Sequence, residues 1–146
     1  MKKNLVFIHG LESTAQGTKG QYFQEHFPEM IIDNFTGDFF ERMNKLNHLL
    51  SLKDNLVIVG SSYGGTMAVQ YTAANENKVK KLILLAPALN LPELNIPQKK
   101  VLNLPVIIYH GTKDDVVNPI AVKYIAQKIF TNLEHHLVCL LYTSDA

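Results

Sequence analysis

Short apolar runs recur along this chain with amphipathic stretches between them, the alternation expected of a parallel sheet whose strands are joined by crossover helices. The pattern predicts strands at Asn4–Ile8, Met30–Asp33, Asn55–Val59, Lys81–Ala86, Val106–His110 and Glu134–Val138. Helical spacing runs over Lys19–Phe27, Asp38–Leu50, Tyr63–Asn75 and Pro119–Phe130. In the second of these, Phe39, Met43, Leu46, Leu49 and Leu50 share one face. Pro119 suits the first turn of the last helix. The segment Pro87–Leu104, with its three prolines and Lys99-Lys100, carries no period and reads equally as loop or small lid. No repeat or linker divides the chain, so one doubly wound α/β domain is expected over residues 1–138.

Composition changes this picture little. The chain has 146 residues, 47% hydrophobic and 18% charged, as in an ordinary globular domain with one core. A net charge of +1, with scattered Lys and Arg, leaves no electrostatic footprint for nucleic acid or an anionic membrane, so a small-molecule partner is expected. Met1-Lys2-Lys3 leads into an apolar run too short for a signal-peptide core. Nothing approaches the roughly 18 apolar residues of a membrane span. The expected location is the cytoplasm, while oligomeric state is not legible. The single cysteine, Cys139, belongs to Cys139–Ala146. Back-translated, that stretch resembles a transposase adapter used for sequencing libraries, so residues 139–146 are set aside as a non-native tail. Upstream of it no thiol is left for disulfides, thiolate chemistry or a Cys-based metal site.

The sharpest chemical signal is Gly60-Ser61-Ser62-Tyr63-Gly64-Gly65, directly after one predicted strand and directly before a helix. Gly60 and Gly64 frame Ser62 as G-x-S-x-G, whereas Ser61 would need glycines where Val59 and Tyr63 stand. A strand-to-helix turn this tight cannot carry side chains at the flanking positions, and it holds the serine strained with its hydroxyl exposed. The following helix points its positive end at the reaction. The alternative is a glycine-rich turn with an inert serine. No phosphate-loop pattern is present.

Two further motifs follow predicted strands: His9-Gly10-Leu11-Glu12-Ser13, and His110-Gly111-Thr112-Lys113-Asp114-Asp115-Val116-Val117-Asn118-Pro119. With them the chain resembles the α/β-hydrolase superfamily across residues 4–138, in particular its small esterase-like members. The resemblance implies a minimal version of that fold, with sheet order 2-1-3-4-5-6. It implies that the loop at Gly10 supplies an oxyanion-hole N–H from Leu11, the second coming from Tyr63, and that Ser62 is the nucleophile. Asp114 is implied as the acid that orients the catalytic histidine, with Asp115 the close competitor, while Asn118 reads as a helix cap. His9 reads as a structural brace of the loop rather than as the base.

The superfamily order is Ser, Asp, then His. The histidine is expected just beyond residue 138, where this chain continues as Cys139, Leu140, Leu141 and Tyr142, none of them a general base for serine. His135 and His136 read as strand residues. The expected function is therefore a serine hydrolase of small carboxylic esters or thioesters, working through an acyl-enzyme and inactive as this truncated chain. No metal or organic cofactor is implied. A serine peptidase or acyltransferase of the same fold, or a non-catalytic binding protein on a hydrolase scaffold, are the alternatives.

Overall fold

A computed structural model describes residues 2–138; the tail reading for 139–146 lies outside the described residues. The strands are β1 (Asn4–Ile8), β2 (Ile31–Ile32), β3 (Leu56–Ser61), β4 (Val79–Leu85), β5 (Val106–Gly111) and β6 (Leu133–Val138). The helices are α1 (Thr18–His26), α2 (Phe39–Leu49), α3 (Tyr63–Ala74) and α4 (Pro119–Ile129), with a short 3-10 turn at Glu76–Lys78. All strand pairings are parallel and the order is β2-β1-β3-β4-β5-β6, as the resemblance implied. The direction of winding reverses between β1 and β3, so their carboxyl ends mark the switch point at which open α/β sheets generally bind ligands.

The central strand β3 is buried along its whole length, which is why Leu56, Val57, Ile58 and Val59 form an unbroken apolar run. One face of the sheet packs Val6, Ile8, Ile58, Leu82, Leu84 and Ile108 against α2, α3 and α4. On the other face Phe7, Met30 and Val59 pack with Phe23 of α1. Helix α2 begins at a reciprocal capping box. The Asp38 carboxylate accepts from the Glu41 N–H at 2.8 Å, and the Glu41 carboxylate accepts from the Asp38 N–H at 3.1 Å. Its predicted apolar face is the buried one, with Leu46 and Leu50 fully enclosed, each contributing about 1.5–3 kcal/mol of transfer free energy. Asn118 caps α4 by accepting from the N–H groups of Ile120 and Ala121.

Most boundaries differ from the sequence reading by a residue or two, β3 running on to Ser61 for example, and three of the differences have a visible cause. β2 pairs over two residues only, because the Met30 N–H is used by the Phe27 carbonyl and Met30 turns into the second core cluster. β4 starts two residues earlier, at Val79: a register shift opposite Leu56 and Val57 lets Lys80 reach solvent without breaking the pairing. Ala86, expected in that strand, instead lies at φ 44°, where the chain turns away from the sheet. Segment 87–104 forms neither helix nor regular strand. It is fastened by buried Leu89, Leu102 and Leu104 and by a reciprocal pair in which Gln70 of α3 donates to the Asn95 carbonyl and accepts its N–H. Among the described residues no helix is long and apolar enough to cross a membrane.

Candidate active site

β3 ends at Ser61 and α3 begins at Tyr63, leaving Ser62 alone to reverse the chain at φ 55° and ψ −115°. For a non-glycine residue this left-handed backbone is strained, and it persists only where the surroundings over-determine it. Here they do: the Ser62 N–H donates to the Leu85 carbonyl at 2.9 Å, and the Ser62 carbonyl accepts from Ala88 at 3.0 Å and Gly65 at 2.9 Å. The glycines are demanded by crowding. A Cβ on Gly60 would come within 2.6 Å of the Gly64 carbonyl oxygen, and one on Gly64 within 2.1 Å of the Ile8 oxygen. Ser61 is buried with its hydroxyl unpartnered, while Ser62 keeps part of its surface in solvent.

Because Gly64 rests directly on Ile8 and His9, the elbow and the loop after β1 are one packed unit. In that loop His9 is buried and both its ring nitrogens are engaged. Nε2 accepts from the Phe35 N–H at 2.8 Å, so Nδ1 carries the proton and donates to the Gly10 carbonyl at 2.7 Å. Burial lowers the His9 pKa, with Arg42 and Lys45 adding to the effect against the Gly10 bond. A neutral imidazole with no free lone pair braces the loop, as the sequence reading held. Leu11, at the turn itself, is 52% exposed. No backbone hydrogen bond in the loops and caps of the described residues uses the N–H of Leu11 or Tyr63.

The third motif follows β5, two strands from β3 on the same edge of the sheet. Asp114 is buried and Asp115 exposed. One Asp114 oxygen, Oδ1, accepts from the N–H groups of Val116 and Val117, both at 2.9 Å, and the other, Oδ2, is buried with no hydrogen-bond partner. His110 lies 3.5 Å from that oxygen but donates from Nε2 to the Val117 carbonyl instead. On β6, His136 pairs with Glu134 and stacks on Tyr109, and His135 is half-buried, its pKa lowered by burial and then by Lys123. Neither is hydrogen bonded to Ser62 or Asp114. Among the described residues no group of three His, Cys, Asp or Glu side chains could hold a metal ion.

Sequence reasoning missed a cluster beside the elbow. Arg42 of α2, only 5% exposed, donates from Nε to the Gly37 carbonyl at 2.9 Å and from Nη2 to the Leu11 carbonyl at 3.4 Å. It lies 5.3 Å over the Tyr63 ring. The Tyr63 hydroxyl donates to Glu93 at 3.2 Å, and burial followed by that carboxylate raises the phenol pKa. The signal was available: Arg42 falls on the apolar stripe of α2 between Phe39 and Leu46, where a charge is out of place.

Comparisons with known proteins agree with this architecture. The sheet superposes on mouse alpha/beta hydrolase domain-containing protein 10 with a TM-score of 0.79 at 18% identity, covering 97% of this chain and 81% of that one. Est1E from Butyrivibrio proteoclasticus with ferulic acid bound gives 0.76 at 17% identity over 99% of this chain and 80% of that one. The Bacillus cereus carboxylesterase gives 0.71 at 17% over 99% and 82%. In sequence, a Mycoplasma pneumoniae protein named for an assigned esterase/lipase activity is 27% identical over 118 residues, 70% of this chain; the match spans 44% of that relative's length. A family model described as the alpha/beta hydrolase fold matches residues 9–103, the stretch that runs from His9 through the elbow. By its sheet order, its elbow and that match, the chain belongs to the alpha/beta hydrolase fold family.

Proposed function

We propose that this hydrolase-fold chain carries the nucleophile, oxyanion donors and acid of a serine hydrolase acting on small carboxylic esters or thioesters. The observation that carries the reading is Ser62. It is strained, partly accessible and stapled between β4 and the next loop, while its neighbour Ser61 is buried. Strain of this kind concentrates at functional sites. In the proposed reaction Ser62 Oγ attacks the acyl carbon and its proton passes to a histidine. The carbonyl oxygen becomes an oxyanion facing the free N–H groups of Leu11 and Tyr63, and collapse expels the alcohol or thiol with that proton. Water then attacks the acyl-Ser62 ester by the same route and releases the acid.

Asp114 suits the orienting role because Oδ1 is tied to the backbone and Oδ2 is left for a partner. The histidine is proposed to come from beyond Val138. That placement is geometrically short-range, since the Thr112 N–H donates to the Val138 carbonyl at 2.8 Å and β6 therefore ends beside the acid loop. An ester substrate is favoured by the esterase and carboxylesterase names among the similar proteins. A non-catalytic binding role is the second reading, favoured by the lack of a histidine bonded to Asp114 among the described residues.

The test is a fluorophosphonate probe on the full-length protein. Labelling is expected, lost in Ser62→Ala and kept in Ser61→Ala. Labelling that survives Ser62→Ala sinks the assignment, and a full-length protein that neither labels nor turns over p-nitrophenyl acetate supports the binding reading.

A further inference from the structure

Arg42 is an anomaly by ordinary rules. Long cationic side chains are almost never this buried unless paired, and a buried charge costs heavily unless its donors are used. No carboxylate among the described residues forms an ion pair with this guanidinium, and its Nη1 is buried without a hydrogen-bond partner. What it does touch is specific. One bond runs to the carbonyl of Leu11 and the cation faces the ring of Tyr63, so a single side chain contacts the two residues whose N–H groups face the proposed oxyanion. A third contact, to the Gly37 carbonyl, anchors the guanidinium to the loop before α2. Tyr63 is held from its other sides by Glu93 and by the edge of Phe39, 5.7 Å away.

On the serine-hydrolase reading above, we infer that Arg42 is a positioning residue that locks the two arms of the oxyanion hole together. It also brings a positive charge beside it, with the Glu93 and Asp38 carboxylates near the same tyrosine but not in an ion pair with the guanidinium. Leu11 is highly exposed and sits in a turn, so by itself it would sample several orientations; holding its carbonyl fixes the residue while leaving its N–H free. Tyr63 is fixed through its ring. The charge adds a second effect, because a cation in a low-dielectric setting favours the state in which the carbonyl oxygen turns negative. The cost of the half-satisfied guanidinium is carried in the resting state and relieved as that negative charge develops, a local conflict of the kind that collects at functional sites.

The experiment uses the full-length protein and its Arg42→Met and Arg42→Lys variants. It measures kcat and KM on p-nitrophenyl acetate, inhibition by a trifluoromethyl ketone whose adduct carries the oxyanion, and thermal melts. Arg42→Met is expected to lower kcat about 10- to 100-fold with KM little changed, and to weaken the ketone by a similar factor. Arg42→Lys keeps the charge without the fork and is expected to fall between the two while melting like the parent. The inference is overturned if either folded variant keeps kcat and ketone affinity within about twofold of the parent. It is also overturned if Arg42→Lys loses activity only in step with its melt. Should Arg42→Met not fold, Arg42→Lys decides alone. Turnover that survives Ser62→Ala removes the serine reading and this inference with it, whereas Ser62-dependent turnover indifferent to Arg42 removes only the inference.

Discussion

At the end of β3, Ser62 is held chiefly by the crowding of backbone on backbone: Gly64 lies on the Ile8 carbonyl, Gly60 on the Gly64 carbonyl, and Leu85 and Ala88 clasp the peptide groups on either side. At the end of β5, Asp114 is held by its own carboxylate, which accepts two backbone N–H groups and closes a turn around itself. The first arrangement tolerates no added atom. The second tolerates many neighbours but depends on one functional group. On the proposed serine-hydrolase reading, a site that draws on two such loops should fail in two different ways, through sterics at the elbow and through chemistry at Asp114.

The largest expected effect falls on the acid. Asp114→Asn keeps one oxygen for Val116 and Val117 but cannot orient an imidazolium, so kcat in the full-length protein should fall about 10⁴-fold with the fold intact. Asp115→Asn, exposed and outside the turn, should keep most activity. The reverse pattern in steady-state kinetics would show that the loop is read one residue out of register. At the elbow, Gly64→Ala should cost about 3 kcal/mol or more, because a methyl 2.1 Å from the Ile8 oxygen forces β1 and α3 apart. Urea unfolding of this variant beside Asp114→Asn measures the contrast directly. Equal stability of the two would break the comparison.

The smallest effect concerns the brace between the loops. His9 is held neutral with its pKa below the usual 6.5, so the unfolded chain takes up a proton that the folded chain refuses. Stability should therefore be full above about pH 6.5 and decline as pH falls toward the depressed native value. His135 is shifted the same way, so His9→Asn should flatten the dependence only in part. Melts of both forms at about pH 7.5 and 5.5 test this; an unchanged slope in the variant would assign the whole effect elsewhere.

The contrast between the loops also explains what could be read in advance. Gly60, Ser62 and Gly64 were legible because steric exclusion writes itself into sequence as glycine spacing. The strand order followed from the resemblance those motifs carried, and Leu46 and Leu50 from simple periodicity. The start of β4 was hidden because Lys80 looks like the edge of a loop, and only the register shift admits it and Val79 to the strand. Arg42 was hidden for the opposite reason: its contacts with Leu11 and Tyr63 join residues 31 and 21 positions away in sequence, and no local pattern records such a meeting. Between Asp114 and Asp115 the resemblance already favoured the first, and the structure adds that Asp114 is buried and Asp115 exposed.

The staple on Ser62 ends at Ala88, and the irregular segment beyond it is moored at both ends by enclosed leucines, Leu89 and Leu102. The backbone of the serine is thus fixed before the irregular stretch begins. For protein engineering this separates what can be exchanged from what cannot: between the two leucines Glu93 accepts from the Tyr63 hydroxyl and Asn95 is tied to Gln70, so a graft that keeps these two residues leaves the clasp on Ser62 as it is.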